Sequence, residues 1–232
     1  MTGKIIVIEG LDGSGKSTQI ELLKTKFDVL GMNYRYIHFP MLNQGKYGEL
    51  IAEFLRGEYG SLEAVHPKLV AVLFANDRKE HLEKINEWLQ KGYCVLMDRY
   101  VNSNIAFQCA KIENESEKER LKQWILDFEF HHNQLPLPFM SFFLNVSLDS
   151  ISKSLLNTRK GSDRDYLNGK QDIHEESLSL QKRVHDEYLK MLQEQDNFIS
   201  IDCCDDNNQL LSPERIHSMI IDFFPSDISK IV

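Results

Sequence analysis

A doubly wound α/β fold on a parallel sheet is the architecture this sequence predicts, and three observations point to it. Five short segments rich in Ile, Val, Phe and Tyr recur along the chain: Lys4–Glu9, Tyr34–His38, Tyr93–Asp98, Phe142–Val146 and Phe198–Asp202. Most are near-continuous apolar runs, the pattern of strands covered on both faces. Longer amphipathic stretches separate them, and strand–helix–strand order implies right-handed crossovers. The first strand also runs directly into a glycine-rich turn that opens a helix. The expected result is a central five-stranded parallel sheet flanked by helices.

The first helix, Lys16–Gly31, places Ile20, Leu22, Leu23, Phe27 and Leu30 at near-helical spacing and stops at a glycine. Pro67–Gly92 reads as one long helix, again closed by glycine; Leu121–His131 and Ser177–Gln195 read as two more. Thr158–His174 breaks this rhythm. It is polar, holds two glycines and carries Arg159, Lys160, Arg164 and Lys170. Composition leaves two readings of it open, a solvated surface loop or a lid that closes over phosphates.

A chain of 232 residues with 42% hydrophobic content suits one globular domain, or one with a mobile lid. The formal charge of −8 argues against a general nucleic-acid binder and leaves room for a small anionic substrate. The four cysteines, Cys94, Cys109, Cys203 and Cys204, form no CxxC pair. Reduced thiols and an N-terminus unlike a signal peptide make a cytoplasmic location the expectation. The apolar run Ile5–Ile8 is far too short to cross a membrane.

Chemistry enters at Gly10-Leu11-Asp12-Gly13-Ser14-Gly15-Lys16-Ser17, followed by Thr18, which fits GxxxxGK[ST] between strand and helix as that motif requires. Glycines let successive backbone N–H groups face one concavity, and the helix N-terminus adds partial positive charge. In such a loop the lysine, Lys16, reaches the β- and γ-phosphates of ATP, and the hydroxyl of Ser17 can ligate Mg²⁺. By itself the loop says only that a nucleoside triphosphate binds.

Asp98-Arg99 ends the third strand, where ligands of open α/β sheets bind. Asp98 is a candidate for holding Mg²⁺ together with Ser17, and Arg99 for meeting a phosphate. Phe74 and Arg78 lie four apart on the long helix and so share a face, which suits a stacked, hydrogen-bonded base. From spacing alone, a core phenylalanine beside a surface arginine is the better account of them.

Read together, the P-loop through Thr18, Phe39-Pro40, Leu73-Phe-Ala-Asn-Asp-Arg78 and Asp98-Arg-Tyr-Val-Asn-Ser-Asn-Ile-Ala-Phe-Gln108 resemble the thymidylate kinase family in order and spacing. Leu135-Pro-Leu-Pro138 and Asp172-Ile-His-Glu175 are also similar, and the likeness covers roughly residues 4–222. The resemblance implies a P-loop kinase fold with a short basic lid at about 158–174, in a domain spanning 1–224 with a tail at 225–232. It implies transfer of the ATP γ-phosphoryl group to dTMP, giving dTDP, with Mg²⁺, in a homodimer.

Carried over position by position, Phe74 would stack on thymine, Arg78 bond a thymine carbonyl, and Asn104 also meet the base edge, with Ser103 beside it among the substrate-binding residues. Phe107 would lie under the deoxyribose, Phe39-Pro40 would border the acceptor, and Arg99 would bind its phosphate. Asp12 would sit near sugar and metal, Arg159 and Arg164 would act from the lid, and Glu175 at the acceptor side. Some relatives place Arg where this chain has Gly13; those with glycine supply basic groups from the lid, which favours the lid reading of Thr158–His174. Two departures stand out. Met41 and Leu42 follow Phe39-Pro40 where Arg is common in the family, leaving Lys46 as a substitute, and Phe139 follows Leu135-Pro-Leu-Pro138 where Asp is frequent.

The chemistry is self-consistent. A phosphate acceptor is already largely anionic at neutral pH and needs no general base, so cations suffice. A deoxynucleoside kinase, the nearest alternative, needs a carboxylate base near the sugar, for which Glu9 or Asp12 would have to serve. A GTPase switch would need a guanine-specifying element such as Asn-Lys-x-Asp, which the sequence lacks.

Overall fold

The computed structural model describes residues 3–61, 64–151 and 178–224. Five strands, β1 (Lys4–Glu9), β2 (Tyr34–His38), β3 (Cys94–Asp98), β4 (Met140–Asn145) and β5 (Phe198–Asp202), form one sheet in the order β2-β3-β1-β4-β5. Every neighbouring pair is parallel. The burial of each strand follows its place. Central β1 and β3 are buried almost throughout, whereas the edge strands β2 and β5 alternate with exposed or half-buried positions. Continuous apolar runs therefore mark the sheet centre, as the sequence pattern predicts.

The helices are α1 (Lys16–Val29), α2 (Gly45–Leu55), α3 (Pro67–Glu80), α4 (Leu82–Gln90), α5 (Val101–Cys109), α6 (Glu115–Leu126), α7 (Leu178–Leu192) and α8 (Pro213–Ile221). The predicted single helix over Pro67–Gly92 is two, broken at His81. There the imidazole Nδ1 meets the Asp77 carbonyl at 2.9 Å, the acceptor that the His81 amide would use in a continuous helix; that amide turns to Arg78 instead. Such local side-chain competition ends helices.

The predicted helix at Leu121–His131 begins earlier, behind the Asn114 cap, whose side chain accepts from the Glu117 amide at 3.1 Å. It finishes in a π-helical turn, Asp127–His132. Helices α2, α5 and α8 go beyond the sequence reading. In α5, Val101 and every residue of Ser103–Cys109 are buried. A helix buried on nearly all sides carries no amphipathic period to detect.

Cys94, Cys109 and Cys203 are buried and unbridged, and burial pushes each thiol up to about 12. These thiols are inert packing groups. Among the described residues no helix is long and apolar enough to cross a membrane.

Candidate active site

The register of β1 and β3 sets Ile8 against Asp98, so the loop after β1 and the turn after β3 emerge side by side. In the loop, Gly13 and Gly15 take φ of +85° and +87°, open to glycine and costly for other residues. Gly15 precedes α1, which has no side-chain cap, so the first-turn N–H groups remain available to a ligand. Ser14 Oγ is buried without a partner, and Ser17 and Thr18 are exposed on the first turn of α1.

Lys16 is buried, and its Nζ donates to the carbonyls of Leu11 (2.8 Å) and Gly10 (3.3 Å), lying across the loop. Burial, reinforced by the Arg99 guanidinium, pulls its pKa down to about 8 against the opposing pull of Asp98, Asp12 and Glu9. A buried cation, open helix amides and positive-φ glycines fit a polyphosphate.

Asp98 is buried. Its Oδ2 meets His38 Nδ1 at 3.2 Å, and its Oδ1 is buried with no partner. Burial alone would raise its pKa, but the His38 contact and the Lys16 and Arg99 charges hold it below the usual carboxylate value. An ionised oxygen left unpaired beside a phosphate loop fits a hard divalent cation such as Mg²⁺. Among the described residues no group of three or more His, Cys, Asp or Glu could form a protein-only metal cage.

Arg99 follows at φ +65°. Its guanidinium donates to Asp12 Oδ1 (2.5 Å) and Ser103 Oγ (3.1 Å) and lies 5.2 Å from the centre of the Phe107 ring. Burial works against its charge, but Asp12 and other neighbours more than offset this, and it stays cationic.

The second half of the site is a buried ion pair. Arg78 Nε and one terminal nitrogen donate to the two Glu129 oxygens, both at 2.6 Å, and both residues are essentially solvent-free. Asn104 Nδ2 donates to Glu129 Oε1 (2.8 Å) and the Ala71 carbonyl (3.1 Å), leaving its Oδ1 buried and unpartnered. The half-buried Phe74 lies one helical turn before Arg78 on α3. Phe39 is buried, with the Arg78 guanidinium 5.9 Å from its ring centre, and is joined to Pro40 by a cis peptide.

Met41 donates its amide to Asp77 Oδ2 at 3.0 Å. Lys46 is 89% exposed in its side chain and sits 3.7 Å from Glu49 on its own helix, at the surface. Arg159, Arg164, Glu175 and the stretch 158–174 lie outside the described residues.

Three residues missed by the site reading join the constellation: Glu129, His38 and Tyr188. Glu129 sits between Phe128 and Phe130 in a stretch that reads as an amphipathic helix, where a carboxylate is expected on the solvent side; in the π turn it is buried. Of the two carboxylates that a sugar-hydroxyl kinase could use as base, Glu9 has both oxygens engaged by donors and no exposure, and Asp12 Oδ1 accepts from the Arg99 guanidinium. That disfavours the alternative.

A P-loop on a central strand of a five-stranded parallel sheet, with a buried cation cluster at the strand ends, defines a P-loop nucleotide-binding protein with the cations that phosphoryl transfer needs. The model of the family described as thymidylate kinase matches residues 8–212. Thymidylate kinase from Mycobacterium tuberculosis is 33% identical over 188 residues, covering 81% of this chain and 85% of its own. A probable thymidylate kinase from Methanocaldococcus jannaschii is 31% identical, covering 94% of each. The solved thymidylate kinase of Candida albicans superposes with a TM-score of 0.71 at 26% identity, covering 95% of this chain and 90% of that one. This chain belongs to the thymidylate kinase family.

Proposed function

We propose that the chain transfers the γ-phosphoryl group of ATP to the phosphate of dTMP, giving dTDP on the way to dTTP. The observation that carries this reading is the cation cluster. Lys16 across the P-loop and Arg99 between Asp12 and Ser103 share one buried electrostatic site, one cation for a donor phosphate and one for an acceptor. The loop Gly10–Thr18 holds the ATP phosphates. Arg99 holds the dTMP phosphate, with Asp12 orienting its guanidinium.

Phe74 stacks on thymine; Arg78, held by Glu129, and Asn104, through its unpaired Oδ1, meet the base edge, and the peptide at Phe39-Pro40 borders the acceptor. Phe107 lies under the sugar. Asp98 and Ser17 hold Mg²⁺, which when bound neutralises charge on the phosphate oxygens. Arg159 and Arg164 add cations from a lid at 158–174, compensating for Gly13, and Glu175 acts at the acceptor side. Residues 1–224 form the catalytic unit.

The chain works as a homodimer in the cytoplasm. Leu69 of α3 is 62% exposed, beside the Lys68 ammonium that lies 4.2 Å over Trp124 of α6. Trp124, Phe128 and His132 stack in turn at 4.9 and 5.0 Å, an aromatic face suited to a two-fold interface. The unbridged thiols suit a reducing compartment.

The test supplies ATP with dTMP or with thymidine. Turnover of dTMP alone is the expected result; turnover of thymidine alone overturns the reading. dUMP should serve as a poorer substrate, by about fourfold, because the buried thymine methyl contributes about 0.8 kcal/mol; dUMP equal to or better than dTMP removes the base pocket. Phe74→Ala should raise the dTMP KM with little change in the ATP KM, measured by initial rates.

A further inference from the structure

Glu9, Ser103 and Tyr188 form a buried cluster directly behind Arg99. Glu9 is the last residue of β1 and has no exposed surface. Its Oε1 accepts from the backbone amides of Tyr100 (2.9 Å) and Ser103 (3.3 Å). Those two donors are the N-cap residue of α5, Tyr100, which supplies no side-chain cap of its own, and Ser103 in the first turn. A carboxylate from the neighbouring strand therefore caps the helix, where negative charge meets the positive end of the helix dipole.

The other oxygen, Oε2, accepts from Ser103 Oγ (2.5 Å) and from the Tyr188 hydroxyl (3.0 Å), and the two hydroxyls approach to 2.8 Å. Ser103 Oγ in turn accepts from Arg99 at 3.1 Å. Burial and Glu9 push the Tyr188 phenol well above its ordinary value, so it stays a neutral donor. Its ring stacks on Phe143 of β4 at 4.7 Å, which fixes the hydroxyl independently of the hydrogen bonds.

We propose that Glu9 and Tyr188 are positioning residues for Arg99: Glu9 fixes the start of α5 and the Ser103 hydroxyl against which the guanidinium leans, and Tyr188 ties that arrangement to α7. The inference rests on the assignment of Arg99 to the acceptor phosphate. Neither residue needs to touch substrate, and neither acts as acid or base. The consequence is specific. Misplacing a guanidinium by a fraction of an ångström costs more in the transition state, where phosphoryl charge must be met, than in the ground state.

The test compares Tyr188→Phe in the wild-type background and in an Arg99→Ala background, with Glu9→Gln as a second variant. Tyr188→Phe keeps the stacked ring and removes one hydroxyl. We expect it to lower kcat about tenfold, with the ATP KM within twofold of wild type and the thermal midpoint nearly unchanged; about tenfold corresponds to one hydrogen-bond-sized change in the barrier. In the Arg99→Ala background the same change should have no further effect on turnover. An equal loss in both backgrounds, or no loss in the wild-type background, overturns the proposal. Glu9→Gln, checked for folding by its thermal midpoint, should show the same non-additivity. Wild-type turnover with dTMP is measured first. Its absence overturns the functional reading, and the comparison is then run with whichever acceptor nucleotide is active, so the two failures are told apart.

Discussion

Replacing Lys16 by Ala should lower kcat about a thousandfold while leaving the fold intact. The magnitude follows from losing one preorganised cation in a water-poor phosphoryl-transfer site, where a single donor contributes about 10²–10³ and a cationic finger about 10³–10⁵. The side chain is buried across the P-loop, but its contacts are to two backbone carbonyls at the loop, and no described strand or helix depends on them. Thermal melting should therefore move little.

The pH dependence supplies an internal check with a definite sign. Burial, and then Arg99, hold Lys16 near pKa 8, well below its ordinary 10.5, so the free enzyme loses this cation as pH rises through about 8. kcat/KM for ATP reports the free enzyme and should fall across that range. At saturating ATP the triphosphate favours the ammonium, so kcat should stay flat to higher pH. Steady-state kinetics from pH 6.5 to 9.5 read both curves, and the fall in kcat/KM near 8 should vanish in Lys16→Ala. Its persistence there would assign it to another group.

The second large effect is on stability. Glu129→Ala should cost about 3–5 kcal/mol, because it strands a buried guanidinium that desolvation penalises and that, among the described residues, this carboxylate alone compensates at bonding distance. The Asn104 amide loses an acceptor at 2.8 Å in the same step. Urea denaturation reads the loss as a shift in midpoint at constant slope. Replacing both partners, as Arg78→Met with Glu129→Leu, should recover most of that stability, since an apolar pair removes the charge together with its penalty. The dTMP KM should nevertheless stay raised in the double variant. Stability restored without acceptor affinity separates recognition of the base from support of the fold. Restoration of both would leave Arg78 a structural residue only.

Much of this molecule is legible along the chain. The segments Lys4–Glu9 and Tyr34–His38 are strands with the predicted bounds: burial on both faces leaves a continuous apolar run in the first, and Tyr34, Tyr36 and Ile37 mark the second, at the sheet edge, by β-propensity. The P-loop is legible for the same reason: its strand, glycines, lysine and helix are contiguous, and the chemistry needs no distant partner. Arg99 is marked by its place at the end of β3, where parallel sheets gather ligands.

The partners of these residues are not legible. Glu129 lies 51 residues from Arg78, and Tyr188 lies 179 from Glu9. Each sits in a polar or amphipathic helix, where a carboxylate or a tyrosine looks like surface. Nor does composition reveal that His81 interrupts a helix by taking the Asp77 carbonyl.

The sequence by itself determined the sheet, the phosphate loop and the position of each cation along the chain, because those are set by periodicity and local backbone chemistry. Only the tertiary structure decided which carboxylate holds each guanidinium. That choice depends on bringing charged groups from separate elements out of water together, and an unpaired buried charge is too costly for the fold to keep.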